Sequence, residues 1–177
     1  MSTPTSIIPR NPALPATVEG HLAAWLDNHQ DAQTFLHHLF FIAATWDDLI
    51  DEDKPVLHAD IDTAFQAALN LTCNPFYVQH FSHLHPLLTN SIRNWKAANA
   101  LERDPAATEH ALMIAFVLRS SYVDMVGTCA SLIKGEAWGI QVAQEARLLC
   151  SQEGFQGYLA NLKHEEECRH GRVRRNG

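Results

Sequence analysis

Three aspartates, Asp47, Asp48 and Asp51, close an apolar run that begins at Phe35. Asp47 and Asp51 are four residues apart and so stack on one face of a helix, with Asp48 beside them three before Asp51. Apolar residues at 35, 39, 42, 46 and 49, flanked by 36, 40, 43 and 50, cover more than a single stripe. That pattern predicts a helix enclosed by others rather than one lying on a surface. The acids then sit at the C-terminal end of that helix, where the macrodipole is already negative and cations are favoured. Carboxylates so placed repel one another unless something positive lies between them. A divalent ion with hard oxygen ligands, Mg²⁺, meets that need. On that reading Asp47→Asn/Asp51→Asn relieves repulsion when no metal is present. The alternative is a solvated helix end, neutralised by Lys54 or by an arginine from elsewhere.

Asp124 poses the same problem in a second run, Leu112 to Val126, that is nearly all apolar. A carboxylate buried alone costs several kcal/mol, so Asp124 needs a metal, a proton or a cation. Arg93, Lys96 and Arg119 are the cations available for an ion pair. Two buried helices that each carry acids are also what a metal site in a bundle core requires. Among the histidines, His80 and His83 share a face and His85 follows, while His37 and His38 precede the aspartates. None has a carboxylate at ligand spacing beside it, which favours hydrogen-bonding roles. His37 is placed to transfer a proton if the core opens on its side. The His164 to His170 segment mixes ligand types at helical spacing, as an exposed charged helix also does.

The elements that must position these groups are all helical. Residues 1–16 carry four prolines and read as an extended arm. Residues 17–171 form one helical domain, and 172–177 a basic tail that frays into solvent or meets an anionic partner. Thr17 caps a first helix to Asn28, and Asp31 caps the central one, which stops before Lys54-Pro55. Asp60 caps a third, with Ile61, Ala64, Phe65, Ala68 and Leu69 at helical spacing. Asn74-Pro75, His85-Pro86 and Asp104-Pro105 repeat a cap followed by proline, the favoured helix start. They predict two pieces or one kinked helix over 75–102 and an unbroken helix from Ala106 to about Ile133. Lys134-Gly135 ends that helix, residues 137–150 form the next, and Ser151 caps a last one that Gly171 ends. No segment alternates with period two. The fold expected is a compact all-α bundle of about seven helices, two of them largely buried.

At 177 residues the chain is long enough for one domain with its own core. A net charge of -7 argues against general nucleic-acid binding, which needs a basic face. Four scattered cysteines without a C-x-x-C pair read as reduced thiols. No signal peptide is visible, and no apolar run approaches the ~20 residues of a membrane helix, so a cytoplasmic protein is expected. No G-x-S-x-G, Walker-type or G-x-G-x-x-G segment occurs.

Asp47-Asp48-Leu49-Ile50-Asp51 fits D-D-x-x-D, and here the chain resembles the class I isoprenoid (terpenoid) synthases. The resemblance implies an isoprenoid-synthase-like bundle in which Asp47 and Asp51, supported by Asp48, hold Mg²⁺ and through it a substrate diphosphate. Asp124 and Thr128 are the nearest match to that family's second metal motif, with Leu132 where an acid is needed. Arg119 and Thr128 would then touch the substrate. The stretch Trp46 to Asp51, with Asp53-Lys54-Pro55 and Asn74-Pro75-Phe76-Tyr77, is also similar to small proteins of tailed phages. Two functions follow as expectations: a Mg²⁺-dependent protein that binds or processes a diphosphate, or a non-enzymatic accessory protein that acts through a protein partner. An all-α nucleotide pyrophosphatase lacks its E-x-x-E pairs here. Several aromatics make a homodimer plausible.

Overall fold

The computed structural model describes residues 16–51 and 55–173, with the side chains of 16, 17, 19 and 167–173 left aside. The expected arm, Lys54, the basic tail and residues 167–170 of the His164 to His170 segment therefore lie outside the described side chains. Among the described residues the chain is all helical: α1 Ala16–Trp25, α2 Gln30–Asp51, α3 His58–Leu71, α4 Pro75–Gln79, α5 Phe81–Glu102, α6 Glu109–Arg119, α7 Val123–Lys134, α8 Glu136–Cys150 and α9 Gly154–Val173. A 3₁₀ turn, Ser120–Tyr122, joins α6 to α7.

Several boundaries follow from local chemistry. Asn74 accepts a hydrogen bond from the Tyr77 amide at 2.9 Å, with Pro75 in the first turn of α4. The break within 75–102 falls at His80 and not at His85-Pro86. Pro86 is accommodated inside α5, where the carbonyl it leaves unbonded belongs to solvent-exposed Ser82. Asp104 accepts from the Ala106 amide at 2.8 Å and closes a turn, so α6 starts later than expected, on Thr108, whose hydroxyl accepts from the Ala111 amide at 3.2 Å. Gly135, at φ +92°, lets the chain reverse between α7 and α8.

The main core joins Val18, Leu22, Trp25 and Leu26 of the α1 region to Phe35, Leu36 and Leu39 of α2 and to Val123, Met125, Val126 and Cys129 of α7. Each such large side chain contributes about 1.5–3 kcal/mol by leaving water. Two largely buried helices are present as expected, but the second is α7 alone. α6, expected to be buried too, buries only Ala115 fully and exposes Met113, Ile114 and Val117. The 3₁₀ turn explains the difference, because it rotates α7 away from the face that α6 presents. α3 departs further from expectation. Its Ala67 and Leu71 face inward while Ile61, Phe65 and Leu69 face solvent.

Glu109–Lys134, from α6 through α7, is long and apolar enough by length and composition to cross a membrane, contrary to the expectation that no run is. Arg119 and Asp124, halfway along it, are ion-paired to residues of other helices.

Candidate functional site

Arg119, the last residue of α6, is the centre of the charged cluster. The 3₁₀ turn that follows it brings its side chain against α2 and α5. Its Nε and Nη2 donate to the two oxygens of Glu102 at 2.7 and 2.6 Å, a two-point grip that suits the planar guanidinium. Nη1 donates to Asp47 Oδ1 at 2.8 Å, and Nη2 reaches Asp51 Oδ2 at 3.5 Å. The helical spacing that put Asp47 and Asp51 on one face thus serves a single cation. Asp51 Oδ1 accepts from Arg103 at 3.0 Å, Asp47 Oδ1 also accepts from the Trp95 indole at 2.8 Å, and the Tyr158 hydroxyl donates to Glu102. Arg119 also lies over the Trp95 ring, 5.9 Å from its centre.

Burial sets the strength of these contacts. The side chains of Glu102 and Asp51 are 4% and 7% exposed, Arg119 is 20% and Asp47 39%. Burial by itself would lower the Arg119 guanidinium, but the hydrogen bonds and charge of Glu102, then Asp47 and Asp51, hold it above its ordinary value. Burial pushes the Asp47 carboxyl up, against the pull of Arg119 and with Asp51 adding to the rise. Burial also raises the Tyr158 phenol, helped by Glu102. Glu165, half-buried on α9, is pushed up to about 7 by burial and by the charge of Asp51, with Glu102 and Asp47 adding to it. Arg119 opposes that rise without cancelling it.

Beside this cluster opens a cleft of about 490 Å³. Phe40, Ala43, Ala44 and Asp47 of α2 form one wall, and Trp95, Phe116, Arg119 and Tyr122 form the next. Leu149 to Glu153, the α8–α9 connection, and Tyr158 close the third side. The cleft is mostly apolar with a few convergent polar groups, the usual make-up of a small-molecule site. Its Tyr122 hydroxyl donates to Cys150 Sγ at 3.6 Å.

The structure brings together Asp47, Asp51 and Arg119 of the residues singled out in the sequence. It does not bring Asp124 or Thr128 to them. Asp124 accepts from Arg147 of α8, which also donates to Ser120 at 3.4 Å. Asp124 and Thr128 line a separate groove with His83, Ser131 and Glu136. Asp48, half-buried on α2, lines neither groove. Of the expected partners for these acids, an arginine from elsewhere is the one found for Asp47 and Asp51. Arg147, which sequence reasoning did not weigh, serves Asp124.

The Mg²⁺ that the D-D-x-x-D pattern implies can be tested against this donor set. Both oxygens of Asp51, both of Glu102 and Oδ1 of Asp47 already accept from arginine, indole or phenol donors. An octahedral ion would have to displace Arg119 to reach them. As arranged, these residues do not fit the ion. Among the described residues no group of three or more His, Cys, Asp and Glu is placed to hold a metal. Of the histidines singled out in the sequence, His85 Nδ1 lies 2.9 Å from Tyr77 Oη and His80 packs on Phe76, while His38 Nδ1 is buried without a hydrogen-bond partner among the described residues.

Sequence reasoning missed Trp95, Glu102, Arg103 and Tyr158, and it read Glu165 as part of an exposed charged helix, whereas that side chain is half-buried. One signal was available. Trp95 is the one aromatic in the polar stretch from Ser91 to Ala100, where an indole without a purpose is expensive to display. No protein-family model, no curated protein and no solved structure matches the chain.

Proposed function

We propose that this protein binds a small molecule with a flat apolar body and a cationic head in the cleft between α2, α6 and the α8–α9 connection. Phe40, Trp95, Phe116 and Tyr122 line the cleft and give the body an aromatic wall. Asp47 and Glu153 offer carboxylates to the head, and the aromatic faces themselves favour a cation. The observation that carries the reading is the cleft itself, lined by aromatic rings with the carboxylates of Asp47 and Glu153 at its edge. Oδ2 of Asp47 takes no donor among the described residues and is the natural acceptor for the head group. No nucleophile–base pair is needed for such a role.

The experiment is thermal unfolding in the presence of tryptamine, phenethylamine and benzyltrimethylammonium. Indole-3-acetate and phenylpropionate serve as matched anions, and Mg²⁺ with pyrophosphate as the competing class. A ligand that binds only the folded state raises the midpoint by mass action. A rise with the cations alone, lost in Ala44→Trp, which fills the cleft from α2, supports the reading. A rise with Mg²⁺ and pyrophosphate alone returns the D-D-x-x-D reading, and no rise with any probe overturns both.

A further inference from the structure

We infer that the solvent face of α3 is a dimerisation surface, on which a second copy of this chain lays its own α3 antiparallel. α3 is amphipathic the wrong way round for a helix of a monomer. It packs inward through Ala67 and Leu71, with Thr63 and Ala64 half-buried, and displays Leu57, Ile61, Phe65 and Leu69. Ile61, Phe65 and Leu69 recur at every fourth position and form one ridge along the helix, with Leu57, the extended N-cap residue, exposed just before its first turn. Single exposed apolar residues are ordinary, whereas a contiguous ridge marks a contact surface.

Area and charge together choose the occupant. Leu57, Ile61, Phe65 and Leu69 are 65%, 37%, 70% and 54% exposed. They offer on the order of 400 Å² of apolar side chain, about half of what one partner gives to a standard interface. The remaining exposed residues on the same face, His58, Asp62, Ala68 and Thr72, extend that area. No lysine or arginine occurs between residues 55 and 92, so the face has no basic group to meet an acidic partner. Its charged and titratable groups are unevenly placed, with His58 and Asp62 in the N-terminal half and only the uncharged Ala68 and Thr72 in the other.

A parallel pair would set Asp62 against Asp62 and His58 against His58. An antiparallel pair with its two-fold axis at Phe65 sets Asp62 against Ala68, His58 against Thr72 and Ile61 against Leu69. The two Asp62 carboxylates are then about 9 Å apart along the axis, and the two helix dipoles oppose each other. A surface that complements itself in this way gives a closed isologous dimer. Phe65 meets its own copy at the centre, where hot spots cluster.

The test is the mass in solution of the full chain between about 1 and 200 µM, a range suited to an interface of this modest size. The 19.8 kDa chain should double its mass as concentration rises. Phe65→Asp, exposed and so tolerated by the fold, should keep the wild-type circular dichroism and stay monomeric. Val117→Asp, on the exposed face of α6, should still dimerise. Register is read in a Cys73→Ser background, because Cys73 is exposed. There Phe65→Cys should oxidise to a disulfide-linked dimer, Ile61→Cys alone should not, and Ile61→Cys mixed with Leu69→Cys should. A monomer throughout, a dimer indifferent to Phe65→Asp, or self-linking of Ile61→Cys in place of Phe65→Cys overturns the proposal.

Discussion

Arg119 is asked to neutralise more charge than it carries, and the side chains around it are arranged accordingly. Glu102 is held at both oxygens, Asp51 is shared with Arg103, and Asp47 with the Trp95 indole. Removing the cation leaves the nearly buried Glu102 without its main partner and Asp51 with Arg103 alone. Arg119→Met should therefore lower stability by about 3–5 kcal/mol in urea unfolding. Arg119→Lys should recover only part of that loss, because a point charge cannot grip both oxygens of Glu102. Glu165 gives the pH dependence. Its folded carboxyl, at about 7, lies above the ordinary 4.5, so the folded state binds the extra proton between those values. Stability from this group is then fully present below about 4.5 and is lost as pH rises through about 7. Glu165→Gln should flatten that fall and stabilise the protein at pH 8 by roughly 1 kcal/mol, a figure reduced for the group's partial exposure. Midpoints measured from pH 5 to 8 for both proteins check it. At this scale the sequence showed which acids share a face, since that is helical geometry. It could not show their partner, because Arg119 lies 68 residues or more away and meets them only through tertiary packing.

The elements deliver these side chains through particular local devices. The 3₁₀ turn at Ser120–Tyr122 separates Arg119, which faces α2 and α5, from Asp124, which faces α8. A run of apolar residues gives no sign of such a turn, so one helix from 106 to 133 was the natural expectation. The hairpin of α7 and α8 depends on glycine. A Cβ on Gly139 would stand 2.7 Å from the Gly127 carbonyl oxygen, a backbone atom that cannot step aside, and 1.7 Å from Ser131 Oγ. Gly139→Ala should therefore cost about 1–3 kcal/mol by overpacking, although alanine is the better helix former. Urea unfolding of that variant reads the cost directly, and a neutral result would show that the two helices can part without loss. α3 teaches the limit of periodicity. Ile61, Ala64, Phe65, Ala68 and Leu69 do share one side of a helix, as their spacing says. Spacing does not say which side is inside, and here the smaller residues allow the close approach to the rest of the bundle.

For the whole molecule, the all-α architecture was legible because prolines and helical periodicity recur along the chain, and Asn74 and Gly135 act where the sequence placed them, whereas α2, α3, α6 and α9 do not start on the caps expected at Asp31, Asp60, Asp104 and Ser151. The site was legible only in its α2 half. The other half comes from α5, α6 and α9, whose residues meet the aspartates only in three dimensions. The account turns on whether Asp47 and Asp51 are repelling ligands that wait for a metal or anchors that hold Arg119. Thermal unfolding of wild type and Asp47→Asn/Asp51→Asn, both in EDTA, separates the two. Anchors predict a midpoint lower by about 5–10 °C in the double variant, as lost ion pairs of about 2–3 kcal/mol imply for a chain of this size. A midpoint that rises on substitution would show that the carboxylates repel one another in the folded protein, and would contradict the assignment of Arg119 as their partner.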